Sequence, residues 1–235
     1  MGQNFCAILF DLDGTLADTL ADLANATNWA LTQLGCPTHP VDSYRFKVGD
    51  GARELCARAL PPDRQDFADD ALRLMRERYN EHCFELTRLY HGIPELIAAL
   101  VERRFRLAVL SNKPDDFTKR MIQHYFGSRE APSRPPAEPR DSSGAGIGPF
   151  AVVRGQLPNV PLKPDPTAAL QIARELGVLP RQWLYVGDTN TDMWTATAAG
   201  MTPVGALWGF RDREELLGSG AQHLAATPGD LLKFL

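Results

Sequence analysis

Ile8-Leu9-Phe10-Asp11-Leu12-Asp13-Gly14-Thr15-Leu16 decides how this chain is read. The apolar run from Phe5 to Phe10 is long enough for one strand buried on both faces, as in a parallel sheet. It stops at two aspartates separated by one leucine. Side chains alternate along extended backbone, so Asp11 and Asp13 leave the strand end on roughly the same side, and Gly14 permits a turn that a Cβ would resist. Neighbouring carboxylates repel, and buried without a partner they cost free energy. A strand ending in this way calls for a cation; an acidic turn capping the next helix is the alternative.

Working outward, Leu20, Leu23, Thr27, Trp29, Leu31 and Leu34 recur at helical spacing, with Gly35 and Pro37 as the stop. A second helix is expected over Gly51 to Leu60 and a longer one from Asp63 to about Phe84, broken apart by Pro61-Pro62. Beyond residue 88 the pattern changes. A helix from Pro94 to Arg103 leads to strand-like runs at 106–110, 150–153, 183–186 and 203–207, with helical segments between them. Strand and helix in alternation imply right-handed crossovers and a parallel sheet. The expectation is an α/β core over 1–17 and 89–235, with an all-helical segment, 18–88, inserted after the first strand. Residues 128–149 hold five prolines, three glycines and one large aliphatic side chain, Ile147. They cannot bury enough apolar surface to offset their ordering entropy and are expected to form a flexible insertion.

Composition narrows the function. The 235 residues carry 25 Lys and Arg against 29 Asp and Glu, a net charge of −4 that offers no footprint for nucleic acid or an anionic membrane. No apolar run approaches the roughly 20 residues that cross a bilayer. The chain runs from Met1 into its first strand without a signal-like core. Cys6, Cys36, Cys56 and Cys83 are widely spaced, which fits buried thiols in a reducing cytoplasm. The five histidines show no ligand spacing and receive no role.

Further motifs lie at the ends of the later strands. Leu110-Ser111-Asn112-Lys113-Pro114 places a hydroxyl and free backbone N–H groups where phosphoryl oxygens can be held. Leu162-Lys163-Pro164-Asp165-Pro166 reads as a helix start, with Asp165 as N-cap and Pro166 first in the helix, so Lys163 stands just outside it. Gly187-Asp188-Thr189-Asn190-Thr191-Asp192 follows the apolar run Trp183–Val186; a strand-to-helix turn brings Asp188 and Asp192 near one spot. In an open parallel sheet, ligands bind outside the carboxyl ends of the strands, where all of these residues fall.

Asp-Leu-Asp-Gly-Thr-Leu resembles the first motif of the haloacid dehalogenase (HAD) superfamily, and the three later motifs match that family's Ser/Thr, Lys and acidic motifs in order. The resemblance implies a Rossmann-like, three-layer α/β core with an inserted α-helical cap. It implies Asp11 as nucleophile, Asp13 as general acid/base and Lys163 as the charge that screens attack. Ser111, Asn112 and Lys163, with Gly14 and Thr15, would receive the phosphate. The Asp11 carboxylate, the Asp13 carbonyl and Asp188, with Asp192 nearby, would hold Mg²⁺. Phe46-Lys47-Val48-Gly49-Asp50-Gly51-Ala52-Arg53 is similar to the cap loop of phosphoglycolate phosphatases, and Thr15–Thr19 and Trp208-Gly209-Phe210 agree; Lys47, Gly49, Gly51 and Arg53 would select the substrate. The expected activity is hydrolysis of a small phosphorylated metabolite, best 2-phosphoglycolate, by a cytoplasmic monomer or homodimer. A β-phosphoglucomutase-like isomerase, a pyrophosphatase, a sugar-phosphate phosphatase and a non-catalytic binding protein are the alternatives.

Overall fold

The computed structural model describes residues 5–127 and 146–235. Six parallel strands form the main sheet: β1 (Ala7–Phe10), β4 (Arg106–Pro114), β5 (Phe150–Gln156), β6 (Trp183–Gly187), β7 (Thr202–Ala206) and β8 (His223–Ala225). Their order is β5-β4-β1-β6-β7-β8. The order reverses direction at β1, so connections leave to opposite sides there and open a crevice at the carboxyl ends of β1 and β6.

Alternation along β1 builds two apolar layers. Ile8 and Phe10 pack with Ile93, Leu96, Met121 and Ile122 of α4 (Ile93–Glu102) and α5 (Asp115–Phe126). Ala7 and Leu9 face Ala168, Ile172 and Ala196 of α6 (Thr167–Glu175) and α7 (Asn190–Ala198). With helices on both faces, the core is the three-layer α/β arrangement the sequence implied. Each large side chain fully buried here contributes about 1.5–3 kcal/mol relative to exposure, which holds the strand end rigid.

A second apolar cluster belongs to α1 (Leu20–Gln33), α2 (Ala52–Ala59) and α3 (Ala68–His82), around Leu31, Tyr44, Leu55 and Met75. The chain enters and leaves this helical unit through an antiparallel pair, β2 (Ala17–Asp18) with β3 (Arg88–Leu89). The buried Asp22 carboxylate accepts the backbone N–H groups of Leu86, at 3.0 Å, and Thr87, at 2.9 Å, and fastens exit to entry. A small helix, α8 (Arg213–Gly218), completes the elements used below.

Several boundaries differ from those read off the sequence. β1 starts at Ala7 and not at Phe5. The long helix begins only at Ala68, because Pro62–Phe67 is a 3-10 turn in which Arg64 has φ −124° and ψ 24°. β4 continues past Leu110 to Pro114 and carries Ser111, Asn112 and Lys113 within the strand. β8 and the β2–β3 pair were not anticipated: with three, two and two residues they are too short to show a period. The expected insertion at 128–149 lies outside the described residues except for 146–149, where Ile147 bridges to Phe150.

Candidate active site

The end of β1 is pinned before its carboxylates are placed. The Asp11 N–H donates to Val186 O of β6 at 2.9 Å, and the turn after it closes with Gly14 N–H donating to Ala17 O at 2.9 Å. Gly14 has φ 85°, and a Cβ on it would overlap the Asp188 carboxylate, so only glycine lets this turn approach so closely. Asp188, at the end of β6, is fully buried. Thr15 Oγ1 donates to Asp188 Oδ1 and the Phe210 N–H to its Oδ2, both at 2.8 Å. Trp208 Nε1 donates to Thr15 O at 2.9 Å, so the stretch 208–210 closes over the turn. Gly14 and Thr15, expected near the phosphate, are not among the residues that line the pocket over Asp11, and the Thr15 hydroxyl orients Asp188.

Lys163 is buried, and its ammonium lies 2.9 Å from Asp11 Oδ1 and 2.7 Å from Asp192 Oδ1. The helix after it starts later than expected: Pro166 occupies the N-cap position and α6 begins at Thr167, although Asp165 Oδ1 still accepts the Thr167 N–H at 2.8 Å. Asn112 fixes the Lys163 backbone from both sides, accepting its N–H at 2.9 Å and donating to its carbonyl at 3.1 Å. Asp192 is itself held in a capping box, its Oδ2 accepting the Thr189 hydroxyl at 2.7 Å and the Thr189 N–H at 3.1 Å. A fixed aspartate thus holds a fixed lysine against Asp11.

The balance of charge is unfavourable to the protein alone. Oxygens of Asp11, Asp188 and Asp192 lie within 4.8 Å of one another, all buried, with Lys163 the cation among them. Burial pushes the Asp11 carboxyl up to about 7 against the pull of Lys163, with Asp192 and Asp13 adding to the rise. Burial, then Asp192 and Asp11, hold Asp188 well above the usual carboxylate range. Lys163 stays well above the ordinary lysine value, since Asp11 and Asp192 outweigh its burial. Asp11 Oδ1 is buried and faces the Lys163 ammonium at 2.9 Å. Three buried carboxylates sharing one ammonium form an all-oxygen cluster that fits a hard divalent cation.

One pocket opens over this cluster. Asp11, Asp13, Ser111, Asn112 and Lys113 form its floor, Gly49 and Gly51 one edge, and Met75, Arg76 and Tyr79 of α3 line it from the helical unit. Lys163, Asp188 and Asp192 are not among the lining residues; they sit behind Asp11. Two of the expected selectivity residues also lie elsewhere. Arg53 Nε pairs with Asp69 at 3.0 Å on the open surface, and Lys47 is absent from the lining. The helical unit touches the sheet edge, Asn112 Nδ2 donating to Gly49 O at 3.0 Å and Thr191 Oγ1 of α7 to Asp50 Oδ1 at 2.9 Å.

The profile of the haloacid dehalogenase-like hydrolases matches residues 6–200. The chain belongs to this family. A phosphoglycolate phosphatase of Pseudomonas putida is 34% identical over 212 residues, covering 86% of this chain and 70% of that protein. An N-acetylmuramic acid 6-phosphate phosphatase of Pseudomonas aeruginosa is 32% identical over 241 residues, 97% of this chain and 94% of that one. The crystal structure of a predicted phosphoglycolate phosphatase from Haemophilus somnus superposes with a TM-score of 0.80 at 25% identity, covering 98% and 97% of the two chains. This haloacid dehalogenase-like hydrolase thus resembles phosphoglycolate phosphatases along nearly its whole length.

Three residues of this hydrolase's pocket, Lys113, Arg76 and Tyr79, carry no sequence signal that marks them for the site. Lys113, on the strand that carries Ser111 and Asn112, is buried and pairs with Asp13 at 3.0 Å. Arg76 is an exposed residue of α3 with no motif around it, and no local pattern singles it out. Among the described residues no helix is long and apolar enough to cross a membrane.

Proposed function

We propose that this hydrolase is a Mg²⁺-dependent phosphatase of small phosphate monoesters, with 2-phosphoglycolate the best candidate. The observation that carries the reading is Asp11 itself: a carboxylate on the pocket floor, with Lys163 at 2.9 Å behind it and Asp188 beside it. Asp11 attacks phosphorus, forming a new O–P bond as the ester P–O bond breaks. Asp13, on the same floor, gives a proton to the departing alkoxide and then takes one from the water that hydrolyses the aspartyl-phosphate. Ser111 through its hydroxyl and Asn112 through its backbone N–H receive phosphoryl oxygens, since the Asn112 side-chain N–H groups are held by Gly49 and Lys163. Lys163 offsets charge on the nucleophile and the incoming group. Held by Asp11, the Asp13 carbonyl and Asp188, with Asp192 alongside, Mg²⁺ would supply neutralisation of the phosphate charge. Residues 18–88 serve as the cap that closes the pocket to bulk water.

Arg76 has no ion-pair or hydrogen-bond partner among the described residues and lines the pocket, so we assign it, in place of Lys47 and Arg53, to a second anionic group on the substrate. A carboxylated sugar phosphate is the second reading; it is favoured by the N-acetylmuramic acid 6-phosphate phosphatase relative and by the apolar wall of Leu23, Val48, Leu55 and Met75. We assign the enzyme to the cytoplasm on its free cysteines, three of them buried.

The test is a panel of phosphate monoesters with Mg²⁺, including 2-phosphoglycolate, sugar phosphates and glucose 1-phosphate. Release of inorganic phosphate is expected, abolished by EDTA, while isomer without phosphate would mark a mutase. Asp11→Asn is expected to abolish turnover; a variant keeping a tenth of the activity would refute the nucleophile.

A further inference from the structure

We propose that Lys113 and Tyr79 are positioning residues for Asp13: together they hold its carboxyl at the angle from which it protonates the leaving group. This rests on the reading of Asp13 as general acid.

The geometry is specific. Lys113 Nζ donates to Asp13 Oδ1 at 3.0 Å and Oδ2 at 3.2 Å, and to the Tyr79 hydroxyl at 2.9 Å. An ammonium has three N–H donors, and these contacts use all of them. While Asp13 is ionised, Lys113 therefore has no hydrogen left for a phosphoryl oxygen, although it lines the pocket. That two-point grip belongs to the ionised carboxylate. When Asp13 carries the proton it gives up, one oxygen still accepts from Lys113 and the other presents the O–H, so the ammonium keeps the carboxyl oriented in both forms.

Lys113 is anchored in turn. Its N–H donates to Ser111 Oγ at 3.3 Å, and its carbonyl accepts the Thr118 hydroxyl at 3.2 Å. Its ammonium also lies 4.6 Å from the centroid of the Tyr79 ring, which packs edge-on against Phe117 at 5.3 Å. Each aspartate of the Asp-Leu-Asp motif thus has its own buried lysine: Lys163 for Asp11 and Lys113 for Asp13. Only the second lysine also bonds α3. Contact between the helical unit and the sheet edge is therefore part of what sets the acid.

The consequence concerns one half-reaction. As the ester P–O bond breaks, its electron pair goes to the ester oxygen, which takes the proton from Asp13 while Asp11 forms the new bond. An alkoxide needs that proton; a p-nitrophenolate, a far weaker base, leaves without it. A general acid contributes about 10²–10⁴-fold, and misplacing a reacting group by about 1 Å can cost 10²-fold. kcat/KM covers only the steps up to release of the leaving group, so hydrolysis of the aspartyl-phosphate does not enter it.

The experiment compares kcat/KM for an alkyl ester hydrolysed by the wild type with that for p-nitrophenyl phosphate, in Mg²⁺. The alkyl-to-aryl ratio is expected to fall at least about tenfold in Lys113→Met and about threefold in Tyr79→Phe, with partial recovery in Lys113→Arg. A ratio that stays at the wild-type value while both activities fall together would overturn the proposal and leave Lys113 a structural residue. Should Lys113→Met fail to fold, Tyr79→Phe, which keeps the ring, decides alone on the same ratio. Asp13→Asn is run in parallel: if its ratio is also unchanged, the general-acid reading itself is wrong.

Discussion

Lys163 Nζ lies 2.7 Å from Asp192 Oδ1, closer than the 2.9 Å that separates it from Asp11 Oδ1. Asp192, locked by its capping box, is the anchor and Asp11 the group that gains. Removing the ammonium leaves buried carboxylates without their counter-charge. Lys163→Met is expected to lower kcat by about 10²–10³-fold and to cost about 3–5 kcal/mol of stability near neutral pH. Turnover and denaturant unfolding check the two effects separately, and unchanged stability would mean the pairing is energetically idle.

The elevated Asp188 carboxyl predicts how stability depends on pH. A carboxyl whose folded pKa is raised contributes stability that is fully present below its unfolded value of about 3.9 and lost as pH rises through the folded value. Asp188 is raised chiefly by burial, with Asp192 and Asp11 adding to it. In metal-free protein, the Tm of Asp188→Asn should therefore gain on the wild type as pH rises from about 5 to about 8. Adding Mg²⁺ should raise the wild-type Tm and leave the variant little changed. Parallel curves would remove the metal assignment.

Arg76 makes a prediction about selectivity. If it meets a second anionic group, Arg76→Ala should raise KM for the carboxylated substrate about tenfold or more, the loss of one charge-assisted hydrogen bond of about 1.5–3 kcal/mol. The rise should be much smaller for an ester with no second charge. Equal effects on both esters would place the anionic group elsewhere.

Thiol chemistry provides an independent check on packing. Cys6 is exposed, whereas Cys36, Cys56 and Cys83 are buried, and burial pushes the Cys56 thiol up to about 12. Since the thiolate is the reactive form, Ellman's reagent should titrate one thiol quickly in the native protein and all four in denaturant. Rapid reaction of a second thiol in the native state would show the helical unit to be looser than described.

Much of the core was legible because its signals are local. The apolar run before Asp11, the apolar run before Gly187 and the Pro61-Pro62 break each fall within a few residues, and period and punctuation suffice to read them. The limits of that reading show at Asp63, where the helix was expected and a 3-10 turn stands, and at β8, whose three residues carry no period. Lys47 and Arg53 each stand two residues from a cap glycine along the chain, but α2 directs Arg53 to Asp69 on the surface and Lys47 lies outside the pocket lining.

The chain by itself determined the order of strands and helices and set acidic, hydroxyl and amino groups at strand ends, because burial and backbone conformation are written into neighbouring residues. Only the tertiary structure decided which of those groups meet. Thr15 and Asp188 bond across 173 positions and Lys113 and Asp13 across 100, distances over which no spacing rule operates. Those pairings follow from how β1, β4 and β6 lie side by side and how α3 rests on the sheet edge, and a buried charge depends on that placement because only a close partner offsets its desolvation.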